Sequence, residues 1–325
     1  MTGARFLALL LAMQVGLAVV TWWPADRSAF TPHRLLEIDP AGVTAIEIAR
    51  RPAGDDEPAW LELRRDGSGW VIPSANGYPA DPARVEQLIE RVAGMQVRAP
   101  IATTAASHNA LSVGERDYGR RVVVRTGETA HELIIGAALS NSVNVRLAGS
   151  DEVHVAEGLS EFSIGDTPSS YWAREYVSAP ADEISSFFLR NAHGAFRAER
   201  DGEGWRIAEA PEGRQADSEA IDELLERLVG LRLAEPVGTE VREAHGLDDG
   251  ARVSWTIAAD DQSLAGGYGV GAVEGSNAFV KADGDPFVVK VSEADVAPIR
   301  DARVDNLLRE AADDDDPPGA PTGSE

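Results

Sequence analysis

Apolar positions along this chain follow two periods, each of which recurs. Val85, Leu88, Ile89 and Val92 are spaced i, i+3, i+4, i+7, and so are Ile221, Leu224, Leu225 and Leu228. That spacing sets four side chains on one face of a helix. Each predicted helix opens after an aspartate, Asp81 or Asp217, that can cap its first free N–H groups, and Pro82 suits the first helical position. Gly94 and Gly230 are expected as left-handed C-terminal caps. Elsewhere the apolar residues alternate. "GVTAIEI" (42–48) and "EISSFFL" (183–189) predict strands, and "VNVRLAGSDEVHV" (143–155) and "AFVKADGDPFVVK" (278–290) predict hairpins around Gly149 and Gly284.

These segments occur in the same order twice. "RRDGSGWVI" (64–72) returns as "ERDGEGWRI" (199–207), an offset of 205 − 70 = 135, and the two helices follow at an offset of 221 − 85 = 136. Asp66-Gly67 and Asp201-Gly202 predict tight hairpin turns, with Trp70 and Trp205 opening the returning strands. Both tryptophans are expected to seal a sheet–helix core rather than to stack on a sugar. "LIIGAA" (133–138) matches "YGVGAV" (268–273), and at constant offset His245-Gly246-Leu247-Asp248 falls over Asn109-Ala110-Leu111-Ser112. Helical stretches are expected to close each copy at 169–177 and 299–308.

The pattern therefore predicts an α+β fold: two tandem homologous units of antiparallel sheet plus helices, preceded by one N-terminal transmembrane helix. The expected divisions are 1–30 (membrane anchor and linker), 31–177 (first unit), 178–310 (second unit) and 311–325 (acidic tail). The anchor is the run "FLALLLAMQVGLAVVTWW" from Phe6 to Trp23, nearly long enough to span a bilayer core and ending in two tryptophans suited to the interface. A cleaved signal peptide is the competing reading, and the apolar run continuing into Trp22 and Trp23 favours a retained anchor. Arg5 against Arg27 and Arg34 gives a thin positive-inside bias, so the bulk is expected on the periplasmic side of a bacterial inner membrane. The tail, with four consecutive aspartates and no large apolar residue, is expected to be solvated.

Composition narrows the chemistry. A net charge of −24 opposes binding to phosphate backbones, and the absence of cysteine removes disulfides, thiolate metal sites and cysteine nucleophiles. The six histidines, His33, His108, His131, His154, His193 and His245, form no HxH or HxxxH pair. "HELIIG" at His131 lacks the second histidine of a zinc-protease helix and reads as a strand. The glycine-rich stretch 265–277 alternates as strand and loop, and Asp283-Gly284-Asp285 reads as a hairpin turn rather than a calcium loop. Glu243 and Asp248 beside His245 do not stand out among 54 carboxylates. No catalytic, cofactor-binding or metal-ligating residue is assigned.

The Gly69-Trp70 and Gly204-Trp205 strand starts, the "ADPARVEQLIERV" helix, the His245-Gly246-Leu247-Asp248 step and the "IIGAA" strand, in that combination, resemble the DUF4340 family, a bacterial membrane-anchored domain of unknown function. The resemblance covers nearly the whole chain to about Leu308, and the first copy departs from it at Asn109–Ser112. It implies genes lying beside gliding-motility-type ABC transporters, and so a non-catalytic, membrane-tethered accessory or scaffolding subunit. The implied partner is an integral membrane permease or auxiliary subunit. Two other readings stay open: an envelope module that binds glycans or peptides, and a hydrolase built on a carboxylate pair.

Overall fold

The computed structural model describes residues 31–310 apart from 52–53, 55, 140–141, 178, 248–252 and 260–265. The Phe6–Trp23 run, the 311–325 tail and Asp248 lie outside the described residues. Among the described residues no helix is long and apolar enough to cross a membrane.

The chain divides into two compact units. One comprises the chain up to Val71 with Pro82–Tyr171, and the other Ile72–Asp81 with the chain from Trp172 onward. In chain order the strands up to residue 157 are β1 (His33–Arg34), β2 (Val43–Arg50), β3 (Trp60–Asp66), β4 (Gly69–Ile72), β5 (Tyr78–Ala80), β6 (Gln96–Val97), β7 (Arg120–Thr126), β8 (Thr129–Leu139), β9 (Ser142–Leu147) and β10 (Val153–Glu157), with helix α1 at Pro82–Ala93. Then come β11 (Ile184–Asn191), β12 (Gly194–Asp201), β13 (Gly204–Ile207), β14 (Arg214–Ala216), β15 (Leu233–Gly238), β16 (Val253–Ala259), β17 (Gly266–Glu274), β18 (Asn277–Ala282), β19 (Val288–Ser292) and β20 (Leu308–Glu310), with α2 at Ser218–Val229 and α3 at Glu293–Arg300. From β1 to β4 the first sheet runs β1-β6-β10-β9-β8-β7-β2-β3-β4, and the second runs β13-β12-β11-β16-β17-β18-β19-β15. The pairings between neighbouring strands are antiparallel, so the fold is α+β, mostly antiparallel sheet with three α-helices among the described residues.

The two predicted helices form as their periodicity requires. Val85, Leu88, Ile89 and Val92 are buried on α1, and Ile221, Leu224, Leu225 and Leu228 on α2. The α2 residues join one core with Phe187, Leu189, Trp205, Trp255 and Ile257 from the second sheet. The Asp217 side chain accepts from the Ala220 N–H at 3.3 Å, as a cap should. The expectation of left-handed caps fails: Gly230 has φ −109°, and Gly94 is not among the positive-φ residues. Glycine is needed there for space, because a Cβ would stand 2.8 Å from the Glu90 carbonyl oxygen at Gly94 and 2.7 Å from that of Glu226 at Gly230.

The repeated nine-residue motif is a hairpin with one added device. Asp66 pairs with Gly69 and Arg65 with Trp70; Asp201 pairs with Gly204 and Arg200 with Trp205. The turns therefore centre on Gly67-Ser68 and Gly202-Glu203, with φ of 56° and 62° at the glycines. Positive φ at the first central residue alone is the type II′ pattern, whose twist suits a hairpin. Trp70 and Trp205 are buried. The arginine opposite each lies over its ring, at 4.7 Å for Arg65 and 4.1 Å for Arg200. Each arginine Nε also donates to the carbonyl of the residue that opens the strand preceding the hairpin, Val43 of β2 or Ile184 of β11.

Three further expectations are corrected. Residues 169–177 form no α-helix: after a 3₁₀ turn at Pro168–Ser170 the chain is extended. Its N–H groups donate to other segments, Ala173 to Pro79 and both Tyr176 and Val177 to Leu231, so tertiary pairing replaces the local ladder. The closing helix of the second unit is α3, which lies earlier than 299–308. Past Arg300 the chain makes a 3₁₀ turn at Val304–Leu307 and then β20, paired with β14. The alignment of Gly246 is also shifted. Its left-handed φ of 62° is matched by Ser112 at 56°, not by Ala110. The first unit carries two more residues between helix-end glycine and turn, 112 − 94 = 18 against 246 − 230 = 16.

Candidate functional site

Antiparallel register decides which side chains share a sheet face, because directly opposed residues point the same way. Across the first unit one row reads Trp60, Ala49, Arg121, Ile134, Arg146, from β3 through β2, β7 and β8 to β9. The next row reads Glu62, Glu47, Val123, Glu132. The intervening residues Leu61, Leu63, Ile46, Ile48, Val122, Val124 and Leu133 are buried and belong to the opposite, core face. The Trp60 face mixes buried Ala49, Ile134, Arg146 and Val123 with half-buried charged side chains, and Arg125 and Glu47 pair on it at 2.6 Å.

One end of this face carries a small core of its own. Val113, Tyr118, Ile134 and Val153 cluster there, with Ala102 and Leu111 packed against them. The turn from Gly114 to Asp117 presents Glu115 above it, closed by a Gly114 N–H to Asp117 carbonyl bond of 2.9 Å. Arg146, only 3% exposed, fixes that turn: its Nε donates to the Val113 carbonyl at 2.9 Å and its Nη2 to Glu115 Oε1 at 2.8 Å. The hydrogen bond from Arg146 holds the Glu115 carboxyl below the ordinary carboxylate range.

Between this turn and the start of β3 lies a cleft of 450 Å³ lined by Asp56, Glu57, Trp60, Glu115, Tyr118 and Arg121 among others. Trp60, the first residue of β3, is 40% exposed: it pairs with Ala49 on one side, and the β3–β4 pairing begins only at Arg64. The Arg121 guanidinium lies 6.0 Å from the Trp60 ring centroid and 5.6 Å from that of Tyr118, and its Nε donates to Glu132 at 2.6 Å. The equivalent row in the second unit reads Ala195, Arg190, Ser254, Gly269, Lys281, so it has no aromatic at the Trp60 position.

A second concavity, of 680 Å³, lies where the described chain begins. Pro32, Arg91, Met95, Arg98 and Ile101 line it, and Ile101 is 53% exposed. β1 forms an edge of the sheet beside it, His33 opposite Val97 and Arg34 opposite Gln96.

The residues singled out in sequence scatter. His33 and His154 meet edge to face at 6.0 Å, and His154 Nδ1 lies 2.8 Å from the Arg98 carbonyl. His245 stacks on Phe279 at 4.6 Å, while His108 reaches the Asp151 carbonyl. His131 sits on β8 as read, and His193 lies in the β11–β12 turn. Asp285 Oδ1 accepts from the Phe287 N–H, the local bond of a turn. Among the described residues no group of three His, Asp or Glu is placed to hold a metal ion. Sequence reasoning passed over Trp60, Arg121 and Arg146, whose only sequence signal is alternation across strands far apart in the chain.

Fold and faces together define an antiparallel α+β protein whose first unit carries a row of charged side chains on the sheet face opposite its main core. The profile of the family described as a domain of unknown function, DUF4340, matches residues 70–250, which is 181 of 325, and the chain belongs to that family. Among curated proteins and solved structures, none matches it.

Proposed function

We propose that this protein is a membrane-tethered accessory or scaffolding subunit of an ABC-transporter-like envelope complex, with its two units on the periplasmic side and no catalytic role of its own. The observation that carries the reading is how the chain enters the first unit. Only residues 24–32 separate the apolar run ending at Trp23 from β1, and Leu36 and Ile38 are buried just beyond. Nine residues span at most about 30 Å when extended, at roughly 3.4 Å each. A body held that close to a bilayer meets membrane partners at high effective concentration, so modest interfaces stay occupied. The edge strand β1 and the concavity with exposed Ile101 lie at that entry and supply a surface for an integral partner. Family membership supports the reading through the resemblance to transporter-associated proteins, and the duplication of one sheet–helix module suits a scaffold presenting two related surfaces. Affinity capture of the full chain from native membranes tests it. Enrichment of an integral permease or its auxiliary subunit is expected, and recovery of soluble proteins alone contradicts it.

A further inference from the structure

We infer that the cleft beside Trp60 is a binding site for a neutral saccharide chain. The charges of the cleft disfavour charged ligands of either sign. Its lining carries three carboxylates, Asp56, Glu57 and Glu115, against two guanidiniums, Arg116 and Arg121, in a protein of net charge −24, so a polyanion meets net repulsion. A cation is no better placed, because Arg121 already lies near both aromatic rings, at 6.0 Å from Trp60 and 5.6 Å from Tyr118, where a second positive charge would be opposed. A neutral ligand with an apolar face and many hydroxyls meets neither penalty. The exposed part of the Trp60 ring offers a flat surface for the C–H face of a pyranose. Glu115 and Arg121, an ion pair at 3.7 Å in the same lining, offer acceptor and donor groups suited to vicinal hydroxyls.

The polar groups are held in advance. Arg146 fixes the Glu115 carboxylate at 2.8 Å, and Glu132 fixes Arg121 at 2.6 Å, so a ligand orders little on binding. The site belongs to the first unit alone, since Ala195 stands where Trp60 would be and Ser254 where Arg121 would be. It is independent of any membrane partner.

The test is calorimetric titration of the full chain in detergent with three hexasaccharides of N-acetylglucosamine, glucosamine and galacturonate, which are neutral, cationic and anionic. Saturable binding of the neutral chain is expected. Trp60→Ala should weaken it roughly tenfold, as loss of a stacking aromatic does, and Trp60→Phe by less than about threefold. Trp60 is half-exposed, and unchanged melting of both variants separates lost contact from lost fold. Absence of saturation with the neutral chain up to millimolar concentration, tighter binding of either charged chain, or indifference to Trp60→Ala overturns the assignment.

Discussion

At the residue scale, the repeated tryptophan does one job with two different finishes. Trp205 Nε1 donates to Asp222 at 2.7 Å, and Arg200 closes over the ring and pairs with the same carboxylate at 3.2 Å. Trp70 Nε1 is buried without a hydrogen-bond partner. Truncation to alanine should cost roughly 3–5 kcal/mol at either position, as large core deletions do. Phenylalanine should separate them. Trp205→Phe removes a hydrogen bond to a carboxylate that keeps only Arg200, whereas Trp70→Phe removes a buried donor that had no acceptor, so the first should lower the melting temperature more than the second. Equal shifts would mean that the Asp222 bond contributes nothing. The tyrosines supply a pH test. Burial pushes Tyr78 and Tyr171 up to about 12, and Tyr118, Tyr176 and Tyr268 are raised for the same first cause. A raised pKa favours the neutral phenol in the folded state. The stability these groups contribute is therefore complete below the unfolded pKa near 10 and is lost as pH rises toward 12. Tyrosinate absorbance at pH 10.5 should stay low in the native chain and appear on adding denaturant; full native ionisation at that pH would contradict the burial.

At the element scale, what was legible in the sequence is what local period determines. The α1 and α2 faces, the hairpin turns at Gly67 and Gly202, and the β8 and β17 strands all follow from spacing that a short window contains. The errors arise where distant partners decide. Residues 169–177 carry helix-compatible apolar spacing, yet their backbone bonds Pro79 and Leu231, which no local pattern reveals. Gly94 and Gly230 were rightly marked as special for the wrong reason, since close approach and positive φ look alike in sequence. The Trp60 row is the extreme case: Trp60, Arg121 and Arg146 come from three strands and meet only through register. The β8 and β17 glycines show a shared packing need. Register shifts follow Ile135 and Val270, and the glycines there, Gly136 and Gly271, sit beneath the turns that end at Ser112 and Gly246. A Cβ at Gly136 would stand 3.0 Å from the Leu111 carbonyl oxygen, while one at Gly271 would collide with that of His245. Gly271→Ala should thus destabilise by about 1–3 kcal/mol, and Gly136→Ala by less. Chemical denaturation of the two variants checks the order, and the reverse order would refute the packing account.

At the scale of the whole molecule, the account joins a short tether, two related sheet–helix units and a surface whose charge excludes most soluble polyanions. A net charge of −24 opposes nonspecific contact with anionic lipid headgroups, so the proposed position near the bilayer rests on the proposed peptide tether rather than on surface charge. This makes the tether separable from the fold. Among the described residues Leu36 and Ile38 are the first buried ones, and all strands and helices given above lie beyond Thr31. The most direct measurement is capture from native membranes with the full chain and, side by side, with a chain that begins at Thr31. The full chain should remain in the membrane pellet after an alkaline carbonate wash, keep its N-terminus and enrich an integral permease or auxiliary subunit, while the shorter chain is soluble and loses most of that enrichment. A mature N-terminus near residue 19, or equal capture of the same soluble partners by both chains, would contradict the tethered-accessory reading.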